Sequence, residues 1–463
     1  MNSHRMPDFV MAIVFLLGVM SCSTSFVSST ASSPLEETTF TPAELPSPTP
    51  VTTPDYLSHR IGVRVVDGVG GFYDRVTGEK FIPRGYNYVR LAPIDGTTGR
   101  LWEATLSPGL YDPILAEEAL QDMEDSGYNV VRVNIDCCRT SNNVGDAYGR
   151  ISPDYVDNVI DFLETAKAHG IYTLLVLHLT PADGPFNQLW NSDPRYFDGP
   201  NLRYLTPGGF EAKSAFDQAF ISTLIRSKAP LDAIFAFDLT DDVVFDAGYP
   251  PLTLETGLLT TANGQKYNMA KPEEKIRMMR ENLVYWIDQQ REAILEIDPT
   301  ALVTVSFPAY VANERPTFPE AAIWESTADF IDLHVYAGMG FDLQDYADQF
   351  GIRGMEEKPI IMGQFAALKQ GFPNAASAAQ ALQGWQAASC QYGFDGWILW
   401  LRGSEEYTAL YNGPSDGGVI NDTLAPLNRP DPCQGSPSGA PSSPEVPSAS
   451  ESTAYTGQLT IQI

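Results

Sequence analysis

Asn129-Val130-Val131-Arg132-Val133-Asn134-Ile135, then Ser152-Pro153-Asp154 through His169-Gly170, then Tyr172-Thr173-Leu174-Leu175-Val176-Leu177-His178-Leu179 is the stretch that decides the fold. Its outer pieces are short apolar runs rich in β-branched residues, and its middle is an amphipathic helical run. Ser152 suits the N-cap, Pro153 falls at the first helical position where a missing N–H costs nothing, and Gly170 stands just past the end. Strand, helix and strand in this order call for a parallel pair, because a crossover helix is what joins two parallel neighbours.

The same alternation extends outward from about residue 61 to 430. Strands are read at Phe81–Val89, Asn129–Ile135, Tyr172–Leu179, Ile234–Leu239, Ala301–Phe307, Phe330–Tyr336, Lys358–Phe365 and Gly396–Leu401. A second long helix opens at Pro272-Glu273-Glu274 and runs through Ile297. Eight strands with intervening helices fit a closed barrel with insertions. An open doubly wound sheet would carry a Gly-rich phosphate turn after its first strand, and none is present. Gly62 to Ile82 reads as a hairpin with turns at Asp67-Gly68 and Thr77-Gly78, placed to close the bottom of the barrel. The expected fold class is α/β: a single (β/α)8 TIM-type barrel preceded by a β-hairpin and flanked by Ser/Thr/Pro-rich segments.

The domain plan follows from composition. Residues 1–22 read as an export signal: His4 and Arg5 precede an apolar run from Phe9 to Met20, too short for a bilayer span of about 20 residues. The run ends Val19-Met20-Ser21-Cys22, which resembles a bacterial lipobox with Cys22 as the lipidation site. The alternative is an ordinary cleaved signal and a secreted soluble protein. Residues 23–58 form a Ser/Thr/Pro-rich linker that cannot bury a core, residues 59–433 the barrel, and residues 434–463 a Pro/Ser-rich tail. The membrane is a partner only through the anchor, and a monomer is the expected state.

Formal charge is −29, with 58 acidic residues against 29 basic ones and no Lys/Arg cluster, so nucleic acid is excluded as a partner and a neutral glycan fits better. If Cys22 is lipidated, four cysteines remain: Cys137, Cys138, Cys390 and Cys433. An even count in an exported chain suggests disulfides, with the pairing open. No Cys-x-x-Cys or matching His spacing points to a metal, and no cofactor is expected.

Barrel chemistry sits where strands end and loops begin. Strand two carries Arg132 and ends near Asn134 and Asp136. Strand three ends at His178, and strand four in Asp238-Leu239-Thr240-Asp241-Asp242. Strand six carries His334 and Tyr336, strand seven ends Gly363-Gln364-Phe365, and strand eight carries Trp397 and Trp400 before Arg402, Glu405 and Glu406. Aromatic faces that stack on sugar rings, next to polar groups for hydroxyls, suit a sugar cleft.

Five pieces in order give a resemblance: Phe81-Ile82-Pro83-Arg84-Gly85-Tyr86-Asn87, Gly127-Tyr128-Asn129-Val130-Val131-Arg132, Asp332-Leu333-His334-Val335-Tyr336, Lys358-Pro359-Ile360-Ile361-Met362-Gly363 and Gly396-Trp397-Ile398-Leu399-Trp400. Over about residues 62–405 the chain resembles glycoside hydrolase family five, the cellulase and mannanase group. The resemblance implies two catalytic glutamates, an acid/base after an Asn at the end of strand four and a nucleophile at the end of strand seven, about 5 Å apart in a retaining enzyme. Here the Asn-Glu position reads Asp241-Asp242 and the nucleophile position reads Gln364. Asp242 keeps a carboxyl one methylene shorter, while the amide of Gln364 is a very poor nucleophile of nearly the same shape as Glu. Arg132, His178, Asp241, His334, Tyr336 and Trp400 fall at cleft-lining positions.

Three readings follow. The first is a cell-surface, glycoside hydrolase-like protein that binds a β-linked polysaccharide or oligosaccharide with hydrolysis lost or much reduced. The second is an active hydrolase pairing Asp242 with Asp136, Asp183, Glu405 or Glu406. The third is a structural surface protein without a ligand. Trp400 is expected at the rim as a stacking contact.

Overall fold

The computed structural model describes the chain from Ser58 to Cys433, apart from residues 94–100, 136–143, 146–147, 179, 182–183, 193–198, 309–320, 339–341, 403–409 and 412–415. Cys22, both Ser/Thr/Pro-rich segments, Cys137, Cys138, Asp136, Asp183, Glu405 and Glu406 lie outside the described residues.

Eight parallel barrel strands form a ring. In order they are strand one (Arg84–Tyr88), two (Val130–Asn134), three (Tyr172–Val176), four (Ile234–Asp238), five (Val303–Thr304 with Ser306–Pro308), six (Ile331–Ala337), seven (Ile360–Leu368) and eight (Phe394–Arg402). Each pairs with the next, and strand eight returns to strand one, with Ile398 opposite Gly85. Strand five closes the ring in two pieces: Val303 and Thr304 pair with Phe237 and Asp238 of strand four, and Ser306 to Pro308 pair with Asp332 to His334 of strand six. The ring forms because each strand is buried on both faces, one packed on helices and one inward, where apolar residues are interrupted by the polar groups of the site. Gly85 permits the closest approach, since a Cβ there would sit 1.7 Å from the Val130 carbonyl oxygen.

The expected hairpin is present as Ile61–Val66 and Val69–Asp74, with Asp67 and Gly68 both at positive φ in the turn. It presses Phe72 into the bottom of the barrel between Phe235 and Phe330, with ring centroids 5.3 and 5.2 Å away. Ile61, Val130, Leu174, Ile361 and Ile398 complete that plug. Buried His59 fastens the start of the hairpin, with Nε2 2.7 Å from Asp298 and Nδ1 3.0 Å from the Ile234 carbonyl. Sequence reading did not single out this latch.

The helix at Pro153–Ala168 is capped as expected: Ser152 Oγ accepts from the Tyr155 N–H, and Pro153 opens the first turn. The long helix is Pro272–Leu295, ending short of Ile297. Cys390 and Cys433 form a disulfide, which settles one pairing that the sequence left open. It closes 43 residues of chain, a loop whose entropy stabilises the fold by about 4 kcal/mol in the chain-entropy account. Arg84 works with it, donating to the carbonyls of Leu424 and Arg429 and so pinning the end of the domain beside strand one.

Candidate functional site

Arg132 is the hub. Strand two points it into the barrel, where it is 1% exposed. Its Nη2 donates to Asp238 at 2.9 Å and to Asp241 at 2.7 Å, its Nη1 donates to Asn87 at 3.1 Å, and its Nε lies 3.8 Å from Asp332. Burial alone would push the guanidinium pKa down, but Asp241, Asp238 and Asp332 outweigh it and hold it above its ordinary value. One buried cation thus gathers acids from strands four and six and an amide from strand one.

The turn after strand four is held from strand five. The Leu239 and Val243 N–H groups donate to the Thr304 and Ser306 carbonyls at 2.9 Å each. Ser306 Oγ accepts from the Asp242 N–H at 3.1 Å and donates to the Thr240 carbonyl at 2.8 Å. This brace holds Asp242 at φ +57, a left-handed conformation that Asp tolerates better than most side chains. The Asp242 side chain is 14% exposed, and its Oδ1 lies 2.6 Å from His334 Nδ1. That contact is poorly aligned for a hydrogen bond, so charge attraction holds it. Burial favours neutral His334, yet Asp242 outweighs it and raises the imidazole pKa.

Gln364, on strand seven, is buried and bonded at both ends of its amide. Its Nε2 donates to Asp241 Oδ1 at 3.0 Å, and its Oε1 accepts from the Tyr336 hydroxyl. Burial, with Asp242 and Asp241 nearby, keeps Tyr336 protonated far above neutral pH, so the phenol is a permanent donor here. Asp241, doubly engaged by Arg132 and Gln364, is held below the ordinary carboxylate range: burial pushes it up, but Arg132, His334 and His178 prevail. His178 Nδ1 accepts from the Asp241 N–H at 3.0 Å, which leaves its proton on Nε2, and burial pushes its pKa down to about 4.

The structure therefore brings Arg132, His178, Asp241, Asp242, His334, Tyr336 and Gln364 into one cluster at the C-terminal ends of the strands. Trp400 differs from expectation. It is 7% exposed and packed into the barrel top rather than standing at the rim. A wide indole on an inward-facing position of a barrel strand is covered by its neighbours, so its rim reading is corrected. Trp397 is core, donating from Nε1 to Ser389 at 3.0 Å. Four partners in the cluster were given no role by sequence: Asn87, Asp238 and Asp332, which stand in the quoted strand runs, and Ser306. The available signal was an acid inside an apolar run, as in Phe235-Ala236-Phe237-Asp238-Leu239 and Ile331-Asp332-Leu333. Glu103 was also missed; it accepts from Asn134 Nδ2 beside the end of strand two.

Asp332 packs against strand seven where a Cβ on Gly363 would come within 2.0 Å of its Oδ1, so only glycine fits there. Burial pushes its carboxyl up to about 7. Because the folded value lies above the ordinary one, the neutral acid stabilises the fold at low pH, and that contribution is lost as pH rises through about 7. Asp332→Asn carries no such loss. Its urea midpoint relative to wild type is expected to climb between about pH 4 and about pH 7 and to level off above that. A gap that stays constant over that range would refute the assignment.

Ligand atoms of Asp241, Asp242 and His334 lie within 4.8 Å of one another, close enough to share a cation. Arg132 already supplies positive charge to Asp241, and a metal ion would have to displace it.

Fold and cluster define the class: a closed (β/α)8 barrel with a polar, arginine-centred cluster at the C-terminal ends of its strands. Among solved structures it is similar to the endo-1,4-beta-mannanase from Rhizomucor miehei, with TM-score 0.54, 14% identity, and 80% of this chain and 100% of that chain covered. It also aligns with the endo-beta-1,4-mannanase from Thermotoga petrophila, at TM-score 0.48, 16% identity, and 77% and 79% coverage. The first likeness shows the fold. No family model and no curated protein matches the chain.

Proposed function

We propose that this chain is a glycoside hydrolase-like protein that binds a β-linked polysaccharide or oligosaccharide and has lost most or all hydrolysis. One observation carries the reading: Asp241 and Gln364 exchange the chemistry expected at their positions. The resembled family has an amide after strand four and a carboxylate after strand seven. Here the carboxylate is on strand four and the amide on strand seven, joined by a 3.0 Å hydrogen bond that runs from Gln364 to Asp241. The charge facing Arg132 is unchanged, so the exchange leaves the barrel floor balanced while removing the nucleophile. Polar groups remain at the cleft end: Asp242 and Tyr336 reach solvent and can meet sugar hydroxyls.

An active hydrolase needs a second carboxylate across the sugar from Asp242. Asp241 fails that role, since it immediately precedes Asp242 on the same strand end and is spent on Arg132 and Gln364. The solvent-facing Asp242 beside His334 favours this second reading, as a carboxyl and an imidazole able to pass a proton.

Binding assays on mannan, glucan and xylan oligosaccharides, run beside a reducing-sugar assay, separate the readings. Binding without release is expected, and Asp242→Ala should weaken binding by about 1.5–3 kcal/mol through loss of a charged hydrogen-bond partner. Release of reducing sugar by wild type would favour the active enzyme. No binding to any of these glycans would favour the structural surface protein.

The cell-surface placement rests on Cys22 at the end of a short apolar run. Expressed in a bacterium, wild type should incorporate labelled fatty acid and Cys22→Ala should not; equal labelling, or none in either, would remove the anchor.

A further inference from the structure

Beside the cluster lies a recess of opposite electrical character. His178 and Thr240, from the ends of strands three and four, form its wall toward the barrel. Its outer wall comes from Arg203 on the helix Leu202–Leu205, Lys213 on the helix Pro207–Arg226, Trp286 on the helix Pro272–Leu295 and Trp190. Its volume is about 20 Å³, enough for one water-sized occupant or the head of one small group.

The polar groups described on this lining lean toward donors. His178 carries its proton on Nε2, because Nδ1 already accepts from the Asp241 N–H. Trp286 is 1% exposed, and among the described residues its indole N–H has no partner; the Nε of Arg203 has none either. A buried N–H without an acceptor costs free energy that an acceptor would recover. No carboxylate occurs among the described lining residues. Lys213 is bound by Asp217 just behind the wall, at 2.5 and 2.6 Å. Among the described residues Asp217 is the acid held against Lys213, and Arg203 adds a second cation to the wall. Arg203 and Lys213 act on His178 from this side, where both depress its pKa, while Asp241 acts in the opposite sense. The recess and the acidic cluster thus share His178 as a wall but differ in sign.

We propose that this recess binds a compact monoanion, held by Arg203, the Trp286 N–H and the His178 Nε2–H. Two sources supply that chemistry: a free halide, or the carboxylate of an acidic sugar residue reaching in past His178. Neither depends on whether the neighbouring cleft takes a neutral glycan.

Chloride NMR line broadening on the full chain tests the site without any glycan. Wild type should broaden the chloride line beyond its buffer, and bromide should compete it away. Arg203→Gln, a half-buried change, should reduce the bound fraction by at least about tenfold, and Trp286→Phe should lower it while keeping the ring. Competition by glucuronate as well as bromide identifies the sugar carboxylate as an occupant, and competition by bromide alone identifies the free ion. Both results uphold the site. Broadening equal to buffer, or unchanged in a folded Arg203→Gln variant, overturns it. Should Trp286→Phe fail to fold, Arg203→Gln decides the matter alone.

Discussion

Arg132→Met is expected to destabilise the barrel by about 3–5 kcal/mol, a large part of the roughly 5–15 kcal/mol that holds a typical domain together. The methionine fills most of the volume, so the loss is not chiefly a cavity. It comes from three acids, Asp238, Asp241 and Asp332, left buried around a vanished cation. Burial already pushes Asp238 and Asp332 toward the neutral form, and those two can take up protons. Asp241 owes its low pKa first to Arg132, so it bears most of the cost. The damage should therefore shrink on acidification and on adding Asp241→Asn. Urea denaturation of the single and double variants near neutral and acidic pH measures this. An Arg132→Met protein with wild-type midpoint and slope would show that the network is energetically idle.

The second large effect is a gain of reaction. The geometry argues against Gln364→Glu alone, since it would set two carboxylates 3.0 Å apart at the bond Gln364 now makes to Asp241. One of them would then hold a proton, as close carboxylate pairs do, and nucleophilicity would suffer. Asp241→Asn with Gln364→Glu restores an amide donor facing a carboxylate acceptor and keeps the charge beside Arg132. Tyr336 would donate to the new carboxylate as it now donates to the amide oxygen. Adding Asp242→Glu supplies the missing methylene, worth about a hundredfold if reach is limiting. It also places Glu at φ +57, a strain of about 1 kcal/mol that the brace from Ser306 must absorb. The triple variant is expected to hydrolyse a β-linked glycan on the order of a hundredfold to ten-thousandfold above wild type, with retained anomeric configuration. The Gln364→Glu single variant should gain much less. Robust wild-type hydrolysis surviving Gln364→Ala would assign the work to other carboxyls. A folded triple variant that binds glycan and never cleaves it would mean that the cleft has changed beyond these positions.

If the proposed loss of hydrolysis holds, the Asp241–Gln364 exchange suggests how it came about. A carboxylate lost from strand seven with none gained on strand four would leave the cluster one negative charge poorer beside the buried Arg132. Moving the carboxylate from strand seven to strand four avoids that penalty, because Arg132 reaches Asp241 at 2.7 Å. Under the proposed reading, the bonds that hold the floor together would persist without the hydrolytic chemistry.

The sequence by itself determined the barrel. Periodic apolar runs, the Ser152 cap with Pro153, and the hairpin turn at Asp67-Gly68 are local signals, and each local choice agreed with the global fold. It also located most of the cluster, because chemistry at strand ends follows from barrel topology. Tertiary structure alone decided which groups pair. Asn87, Arg132, Asp238, Ser306 and Asp332 come from five strands, and no local pattern states that one guanidinium will gather them. Exposure was likewise decided in three dimensions: an indole near a strand end reads the same whether its face is open or covered, and Trp400 is covered. The donor-lined recess is invisible in sequence for the same reason. Its walls come from residues 178 to 286, spread over two strand ends and separate helices, and only packing makes their charges neighbours.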